Sequence, residues 1–341
     1  MTGSVMLRID EGARIDEGML RAVINAAVAR AGWRLTDGRA DASPDSGALD
    51  AEIRVVDGSS ACRGGAHPVL VVQLDPAAPS VPGEVRGHGL DTLSFPIEAW
   101  LRGLESPGVM TAYGDDPDQC IDWRHPAGSA PRGVAVLVHG GFYRSRWRAD
   151  LMTAQSVDLA ERGWIAANLE YRRPDAHGWE ATVADVRAGV ESVRAQRPGL
   201  PLVLIGHSAG GQLVLQCAEA IEPAPDLAVS LAGVVDLRAA EARAMGEHAV
   251  PLALGGGSAD FPERYDSASP AEFRARRANW LLVQGVDDSA DLVEMNRRLS
   301  RRADLREPEL LEGAGGHFAV IDPDAPLWHA TFARIEGLLR V

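Results

Sequence analysis

Residues 202–211 read LVLIGHSAGG, an apolar, strand-like run that stops at a Gly-x-Ser-x-Gly turn. A helix can continue from the turn over residues 209–218. A serine between glycines on a sharp strand-to-helix turn is pushed out of the backbone path, where its hydroxyl can meet a substrate and the positive end of the next helix. The same pattern also forms simple tight turns, and 36 glycines give it many chances to occur. Ser208 is therefore a candidate nucleophile that needs support from elsewhere in the chain.

A second apolar run ends in glycines of the kind that bind a negatively charged oxygen. Residues 134–142 read VAVLVHGGF. Glycine lets the backbone turn its N–H groups toward a substrate oxygen without a Cβ in the way. This sequence type supplies oxyanion-hole amides in esterases and lipases.

Two further apolar runs end in residues that could complete a catalytic triad. Residues 280–288 read WLLVQGVDD, and residues 310–318 read LLEGAGGHF. A serine hydroxyl is too weak an acid to attack unaided, so an imidazole must take its proton and a carboxylate must hold that imidazole in the right tautomer. The chain order Ser208, Asp288, His317 differs from the orders in chymotrypsin-type and subtilisin-type enzymes.

Charge and composition restrict the classes of partner and of chemistry. The chain has 341 residues, enough for one large or two modest domains, and a net charge of -14. Because nucleic acids and anionic membranes bind basic surfaces, this charge argues against both as partners. All 34 basic residues are arginine. The absence of lysine excludes lysine Schiff-base, P-loop and Ser-Lys chemistry.

Other features of the sequence favour a cytoplasmic protein without a cofactor. No segment approaches the roughly 20 unbroken apolar residues of a membrane helix, and the first residues lack the layout of a secretion signal. The three cysteines are widely spaced and odd in number, and no His/Cys/Asp cluster has metal-ligand spacing. We therefore expect no metal, no organic cofactor and a small-molecule substrate as partner. A homodimer is compatible with the sequence.

The apolar runs predict two domains. Residues 109–341 alternate between strand-like and helix-like segments, which indicates a doubly wound, mostly parallel sheet. The predicted strands are residues 134–138, 164–169, 202–205, 227–231 and 279–283. Residues 1–108 are interpreted as a small α/β domain of unknown role. It has helices at 20–30 and 97–104, strands at 53–56 and 69–74, and loops at 36–48 and 76–89.

The motifs together resemble a known superfamily. They are HGGFYR at residues 139–144, the pair Tyr171 and Arg172, GHSAGG at 206–211 and GGHF at 315–318. On these motifs, residues 110–341 are similar to the α/β-hydrolase superfamily and, more narrowly, to its kynurenine formamidase (arylformamidase) and small carboxylesterase branch. The segment at 113–122, read as a lead-in before the first sheet strand, resembles the same branch.

The resemblance implies roles for individual residues. Ser208 would be the nucleophile, His317 the general base and Asp288 its orienting acid. The backbone amides of Gly141, Phe142 and Ala209 would form the oxyanion hole. Asp288 is preferred because the family acid falls three residues after the glycine at the strand end, here Gly285, and Asp287 and Asp291 remain alternatives. The implied activity is hydrolysis of a carboxylic ester or an aryl formamide through an acyl-enzyme.

The loop after the oxyanion glycines suggests a contact with substrate. Tyr143, Arg144 and Arg146 lie close in sequence to the expected site, and a guanidinium there could bind a substrate carboxylate through two hydrogen bonds. A solvated arginine-rich loop is the alternative. Two other functions also remain open. One is a prolyl-oligopeptidase-like peptidase, and the other is a non-catalytic ligand-binding protein on a hydrolase fold.

Overall fold

The computed structural model describes residues 3–9, 15–37, 50–56, 68–73, 84–86, 90, 93–128, 130–305 and 307–339. The chain divides into two compact units, Met1–Pro107 and Gly108–Val341. The boundary expected from the sequence lies one residue further along the chain.

The first unit is a five-stranded parallel sheet with two helices. Its elements are β1 (Ser4–Ile9), α1 (Glu17–Arg30), β2 (Arg34–Asp37), β3 (Asp50–Val56), β4 (Val69–Gln73), β5 (Glu84–Arg86) and α2 (Ser94–Glu105). The strand order is β2-β1-β3-β4-β5, and every pair is parallel. Helix α1 begins where the Asp16 side chain accepts a hydrogen bond from the Met19 amide, and it buries Leu20 and Ile24.

Parts of this sheet were not predicted. Strand β1 was missed, and β2 and β5 overlap the segments interpreted as loops at 36–48 and 76–89. Strands of three or four residues are too short to show the alternation of apolar and polar side chains by which a strand is recognised. The rest of both segments lies outside the described residues.

The second unit contains an eight-stranded sheet. Its elements are β6 (Val109–Ala112), β7 (Cys120–Arg124), β8 (Val134–Val138), α3 (Thr153–Glu161), β9 (Ile165–Leu169), α4 (Pro174–His177), α5 (Trp179–Gln196), β10 (Leu202–His207), α6 (Ala209–Ala220), β11 (Leu227–Leu231), α7 (Leu237–Ala242), α8 (Met245–Leu254), α9 (Pro262–Ala268), β12 (Asn279–Gly285), α10 (Ala290–Ser300), β13 (Glu309–Gly313) and α11 (Pro326–Leu339). The strand order is β13-β12-β11-β10-β8-β9-β7-β6.

The sheet is parallel except at one edge. Strands β8 to β13 pair in parallel, and their central members are buried along their whole length, as expected of strands covered by helices on both faces. The predicted doubly wound, mostly parallel fold is confirmed. Strands β6 and β7 form an antiparallel edge. The expectation that residues 113–122 come before the first strand of the sheet was therefore wrong, because β6 precedes them and residues 120–122 belong to β7.

The topology places the candidate residues at one edge of the sheet. Ser208 follows β10 directly, His139 follows β8, Asp288 comes three residues after β12, and His317 comes four residues after β13. The carboxyl ends of parallel strands meet at the same edge, which is where open α/β sheets bind ligands. In the part of the chain that the structure describes, no helix combines the length and the apolar character needed to span a membrane.

Candidate active site

Ser208 occupies a strained turn between β10 and α6. Its backbone has φ 53° and ψ -117°, and its amide donates to the Leu231 carbonyl at 2.8 Å. A Cβ added to Gly206 would lie 2.1 Å from the Gly210 carbonyl oxygen, and one added to Gly210 would lie 2.1 Å from the Val138 carbonyl oxygen. Both flanking positions therefore require glycine, which explains the Gly-x-Ser-x-Gly spacing. Such a turn presents the serine hydroxyl at the end of the sheet.

Asp288 and His317 are joined by a side-chain hydrogen bond. His317 Nδ1 lies 2.9 Å from Asp288 Oδ2, and Gln284 Nε2 donates to the same oxygen at 3.0 Å. The Ser289 amide donates to Asp288 Oδ1 at 2.6 Å. Burial raises the pKa of Asp288, but the hydrogen bond and charge of His317, with the other two donors, outweigh it and hold the pKa below its usual value. The carboxylate is therefore ionised and oriented.

The two alternative acids have other partners. Asp287 Oδ2 accepts a hydrogen bond from the Gly315 amide at 2.8 Å, which shapes the loop that carries His317. Asp291 forms an ion pair with Arg243 at 3.0 Å. Of the three carboxylates considered from the sequence, Asp288 is the one that contacts the histidine.

The loop after β8 packs on Ser208, and the loop after β13 packs on the neighbouring His207. A Cβ added to Gly140 would lie 2.9 Å from Ser208 Cβ, so the end of β8 packs directly against the serine. The neighbouring His207 has its ring 4.7 Å from the His317 ring. Its Nε2 lies 3.0 Å from the His317 carbonyl oxygen. The candidate nucleophile, base and oxyanion loop thus share one place in the fold.

The three amides expected to form an oxyanion hole are available. Gly141, Phe142 and Tyr143 have φ of 113°, 50° and 62°, so the loop after β8 turns sharply away from its strand. Within the described residues, no hydrogen bond uses the N–H of Gly141 or Phe142. Ala209 is the first residue of α6, where the helix leaves the N–H without an internal partner.

A buried ion network holds the start of this loop. His139 Nδ1 lies 2.8 Å from the Gly140 carbonyl oxygen, and its Nε2 lies 3.1 Å from Glu170 Oε1. Burial raises the pKa of Glu170, but His139 and Arg173 outweigh it and lower the pKa to about 2. Tyr171 donates from its hydroxyl to the His139 carbonyl at 2.8 Å.

The side chains proposed to bind substrate have other roles. Tyr143 is 2% exposed, and its hydroxyl donates to Gln212 Oε1 at 3.0 Å. Tyr143 therefore packs in the core with its hydroxyl already bonded, and its expected contact with substrate stays a prediction. Arg144 donates to the Gly246 carbonyl at 2.6 Å and to Glu247 at 3.1 Å, so its guanidinium already has acceptors.

The remaining arginine of that loop is solvent-exposed. The Arg146 guanidinium lies 5.9 Å from the centre of the Trp147 ring. A solvated arginine on an aromatic neighbour matches the alternative interpretation given above, and nothing in the structure supports a role for Arg146 in binding substrate.

The sequence places Gln284 next to the acid loop but gives it no role, and the structure makes it a partner of the acid. Gln284 is fully buried at the end of β12, and Asn296 Nδ2 on α10 donates to its Oε1 at 3.1 Å. Gln284 in turn donates to Asp288. The only available signal was a polar side chain at the end of an apolar strand, which does not reveal its partner.

The described residues contain no group of three or more His, Cys, Asp or Glu side chains arranged to hold a metal ion.

A parallel sheet with the elbow after β10, an acid after β12 and a histidine after β13 defines the α/β-hydrolase fold. Residues 122–301, more than half of the chain, match the BD-FAE family. The chain belongs to the BD-FAE family, and the expected membership of the α/β-hydrolase superfamily is confirmed.

Solved structures share the fold at low sequence identity. A putative thioesterase from Silicibacter sp. TM1040 aligns with a TM-score of 0.56 and 21% identity over 67% of this chain and 87% of that one. Esterase B from Lactobacillus rhamnosis aligns with a TM-score of 0.56 and 17% identity over 67% of this chain and 83% of that one. Thermogutta terrifontis esterase 2 phosphonylated by sarin aligns with a TM-score of 0.55 and 20% identity over 68% of this chain and 94% of that one.

Curated relatives match only in part. A non-reducing polyketide synthase of Penicillium brevicompactum is 31% identical over 112 residues, which are 28% of this chain and 5% of that protein. The 5-methylorsellinic acid synthase of Aspergillus terreus is 27% identical over 147 residues, 39% of this chain and 6% of that protein. The chain thus spans about one twentieth of the length of these relatives.

Proposed function

We propose that the protein is a serine hydrolase that cleaves carboxylic esters through an acyl-enzyme, with Ser208 as nucleophile, His317 as general base and Asp288 as the orienting acid. The observation that carries this proposal is the Asp288–His317 hydrogen bond of 2.9 Å, in which His317 packs on His207, the residue before a serine with φ 53°. Membership of the BD-FAE family and a fold shared with esterases are consistent with it.

The arrangement supports each step of acyl transfer. His317 takes the Ser208 proton while the serine oxygen attacks the ester carbonyl carbon. The negative charge that develops on the carbonyl oxygen is stabilised by the amides of Gly141, Phe142 and Ala209. His317 then donates its proton to the leaving alcohol, which departs and leaves the acyl group on Ser208. A water molecule, deprotonated by His317, releases the acid and regenerates the serine.

A neutral ester fits the surroundings better than an amino-acid-like formamide. The carboxylate of a formylkynurenine-type substrate needs a cation at the site, and Arg144, one of the two candidate arginines, is already bound to Gly246 and Glu247. Apolar surface lies beside the base instead. Phe318 is 39% exposed with its ring 5.4 Å from the His317 ring, and Val286 is 45% exposed.

Ester hydrolysis by single variants tests the proposal. Wild-type protein should hydrolyse p-nitrophenyl esters of graded chain length faster than N-formylkynurenine, and EDTA should leave the rate unchanged. Ser208→Ala and His317→Ala should each lower kcat by several orders of magnitude without adding in the double variant, because both act in one proton transfer. Asp288→Asn should lower kcat by about 10⁴-fold.

Matched variants elsewhere serve as controls. Ser267→Ala and His329→Ala change exposed residues, and Asp287→Asn and Asp291→Asn change the alternative acids. Near-normal turnover in Ser208→Ala or His317→Ala would refute the assignment. A larger loss in Asp287→Asn or Asp291→Asn than in Asp288→Asn would show that the acid is wrongly chosen.

A further inference from the structure

His207, the last residue of β10, lies between the nucleophile and the base. Its side chain is buried, with the His317 ring at 4.7 Å and the Phe318 ring at 5.7 Å. A Cβ added to Gly140 would lie 3.2 Å from His207 Nδ1, so the start of the loop after β8 also packs against the His207 ring. One side chain therefore contacts both loops that the proposed reaction needs.

Hydrogen bonding fixes the form of this ring. The His317 carbonyl oxygen can only accept, so His207 Nε2, 3.0 Å away, must carry a proton and donate it. His207 Nδ1 is buried and has no hydrogen-bond partner among the described residues, which leaves no acceptor for a second proton. Burial and the charge of the neighbouring His317 lower the pKa of His207 to about 3, although the hydrogen bond to the His317 carbonyl and the charge of Asp288 act in the opposite direction. The ring is neutral at physiological pH.

Resting on the proposed function, we propose that His207 is a positioning residue for the general base: its Nε2–H anchors the His317 carbonyl and so fixes the backbone from which the His317 ring reaches Ser208. Asp288 fixes the rotation of the His317 ring through the hydrogen bond to Nδ1, whereas His207 fixes the position of the His317 backbone that carries the ring. A neutral anchor also adds no repulsion when His317 becomes charged during turnover.

Two substitutions of His207 with side chains of similar length distinguish the effect of the hydrogen-bond donor from that of packing. Glutamine can place an amide N–H near the position of Nε2, whereas methionine fills space without a donor. His207→Met should lower kcat for p-nitrophenyl acetate by about 10- to 100-fold, since a small displacement of a catalytic group costs this much. KM should change less than about twofold, and His207→Gln should recover most of the loss. Equal kcat values in the two variants would overturn the inference.

Histidine NMR of the full chain tests the same claim without activity. In ¹⁵N-histidine spectra, the resonances lost in His207→Gln identify the residue. They should report a neutral ring with the proton on Nε2 from about pH 5 to 8. A ring that titrates in this range, or that carries its proton on Nδ1, would overturn the inference. If the ring is neutral as expected but wild type hydrolyses no ester, the anchoring contact stands and the proposed function fails.

Discussion

The residues at the centre of the site combine strained backbone with fixed partners. Ser208 and Phe142 both have positive φ without being glycine, which costs about 1 kcal/mol or more for each. The Ser208 amide is bonded to Leu231, and the loop that contains Phe142 is held at its base by His139 and Glu170. Packing therefore maintains a geometry that the local chain does not favour, as is common at functional sites.

At this scale, Gln284 should matter to the acid. Gln284→Leu removes a hydrogen bond to an ionised carboxylate, an interaction worth about 1.5–3 kcal/mol. We expect kcat for ester hydrolysis to fall by about tenfold or more, since 1.4 kcal/mol corresponds to a factor of ten. Steady-state kinetics and thermal unfolding would be measured together, with exposed Gln196→Leu as control. Unchanged kcat in a folded Gln284→Leu variant would show that Asp288 does not need the hydrogen bond from Gln284.

Asp150 should make stability depend on pH. Burial, with a smaller contribution from Glu170, raises its pKa to about 7. An unfolded aspartate has a pKa of about 3.9. The folded state therefore binds the extra proton between these values, so the contribution of Asp150 to stability is present below about pH 4 and is lost as pH rises toward about 7.

Substitution by asparagine removes this dependence. Relative to wild type, the free energy of unfolding of Asp150→Asn should be higher at about pH 8 than at about pH 4.5. Urea unfolding at both pH values measures the difference, and Asp260→Asn, at an exposed position, should show none. A change in unfolding free energy that is the same at both pH values would contradict the assignment.

At the scale of elements, the oxyanion loop is tied to α8. Gly246, Glu247 and His248 follow one another with φ near 60°, a left-handed turn within α8. Arg144 from the loop donates to the Gly246 carbonyl and pairs with Glu247. The arginine therefore stabilises a turn that two non-glycine residues disfavour.

This contact predicts how Arg144→Ala behaves. The loss of the contact should lower kcat/KM to the same extent for a neutral ester and for a carboxylate-bearing ester of the same leaving group, because the arginine orders protein rather than substrate. Arg146→Ala, at an exposed position, should leave both values near wild type. A selective rise in KM for the carboxylate-bearing substrate would show instead that Arg144 binds substrate.

The elements differ in how well the sequence predicts them. The central strands β8 to β12 are runs of mostly apolar, buried residues, and this feature is local. Short strands such as β5 and the edge strand β6 owe their structure to pairing with distant segments, which no local pattern reveals.

The site divides in the same way. Ser208 and His317 stand in short motifs that require glycine neighbours, so sequence alone identifies them as candidates. The partners of Tyr143 and Arg144 lie far away along the chain, and only the fold brings them together.

For the whole molecule, every candidate catalytic residue lies in Gly108–Val341. We therefore expect a chain of residues 108–341 to retain reaction with a fluorophosphonate at a rate close to that of the full chain. Circular dichroism must show that the shorter chain is folded. A folded but unreactive chain would mean that residues 1–107 contribute to the site.

The central claim is that Ser208 is an activated nucleophile. Intact-mass spectrometry after treatment with a fluorophosphonate, followed by peptide mapping, tests it most directly. We expect one adduct per chain, located on Ser208, absent in Ser208→Ala and formed much more slowly in His317→Ala. Exposed Ser267→Ala should label like wild type. No adduct on folded wild-type protein, or an adduct on another residue, would contradict the account.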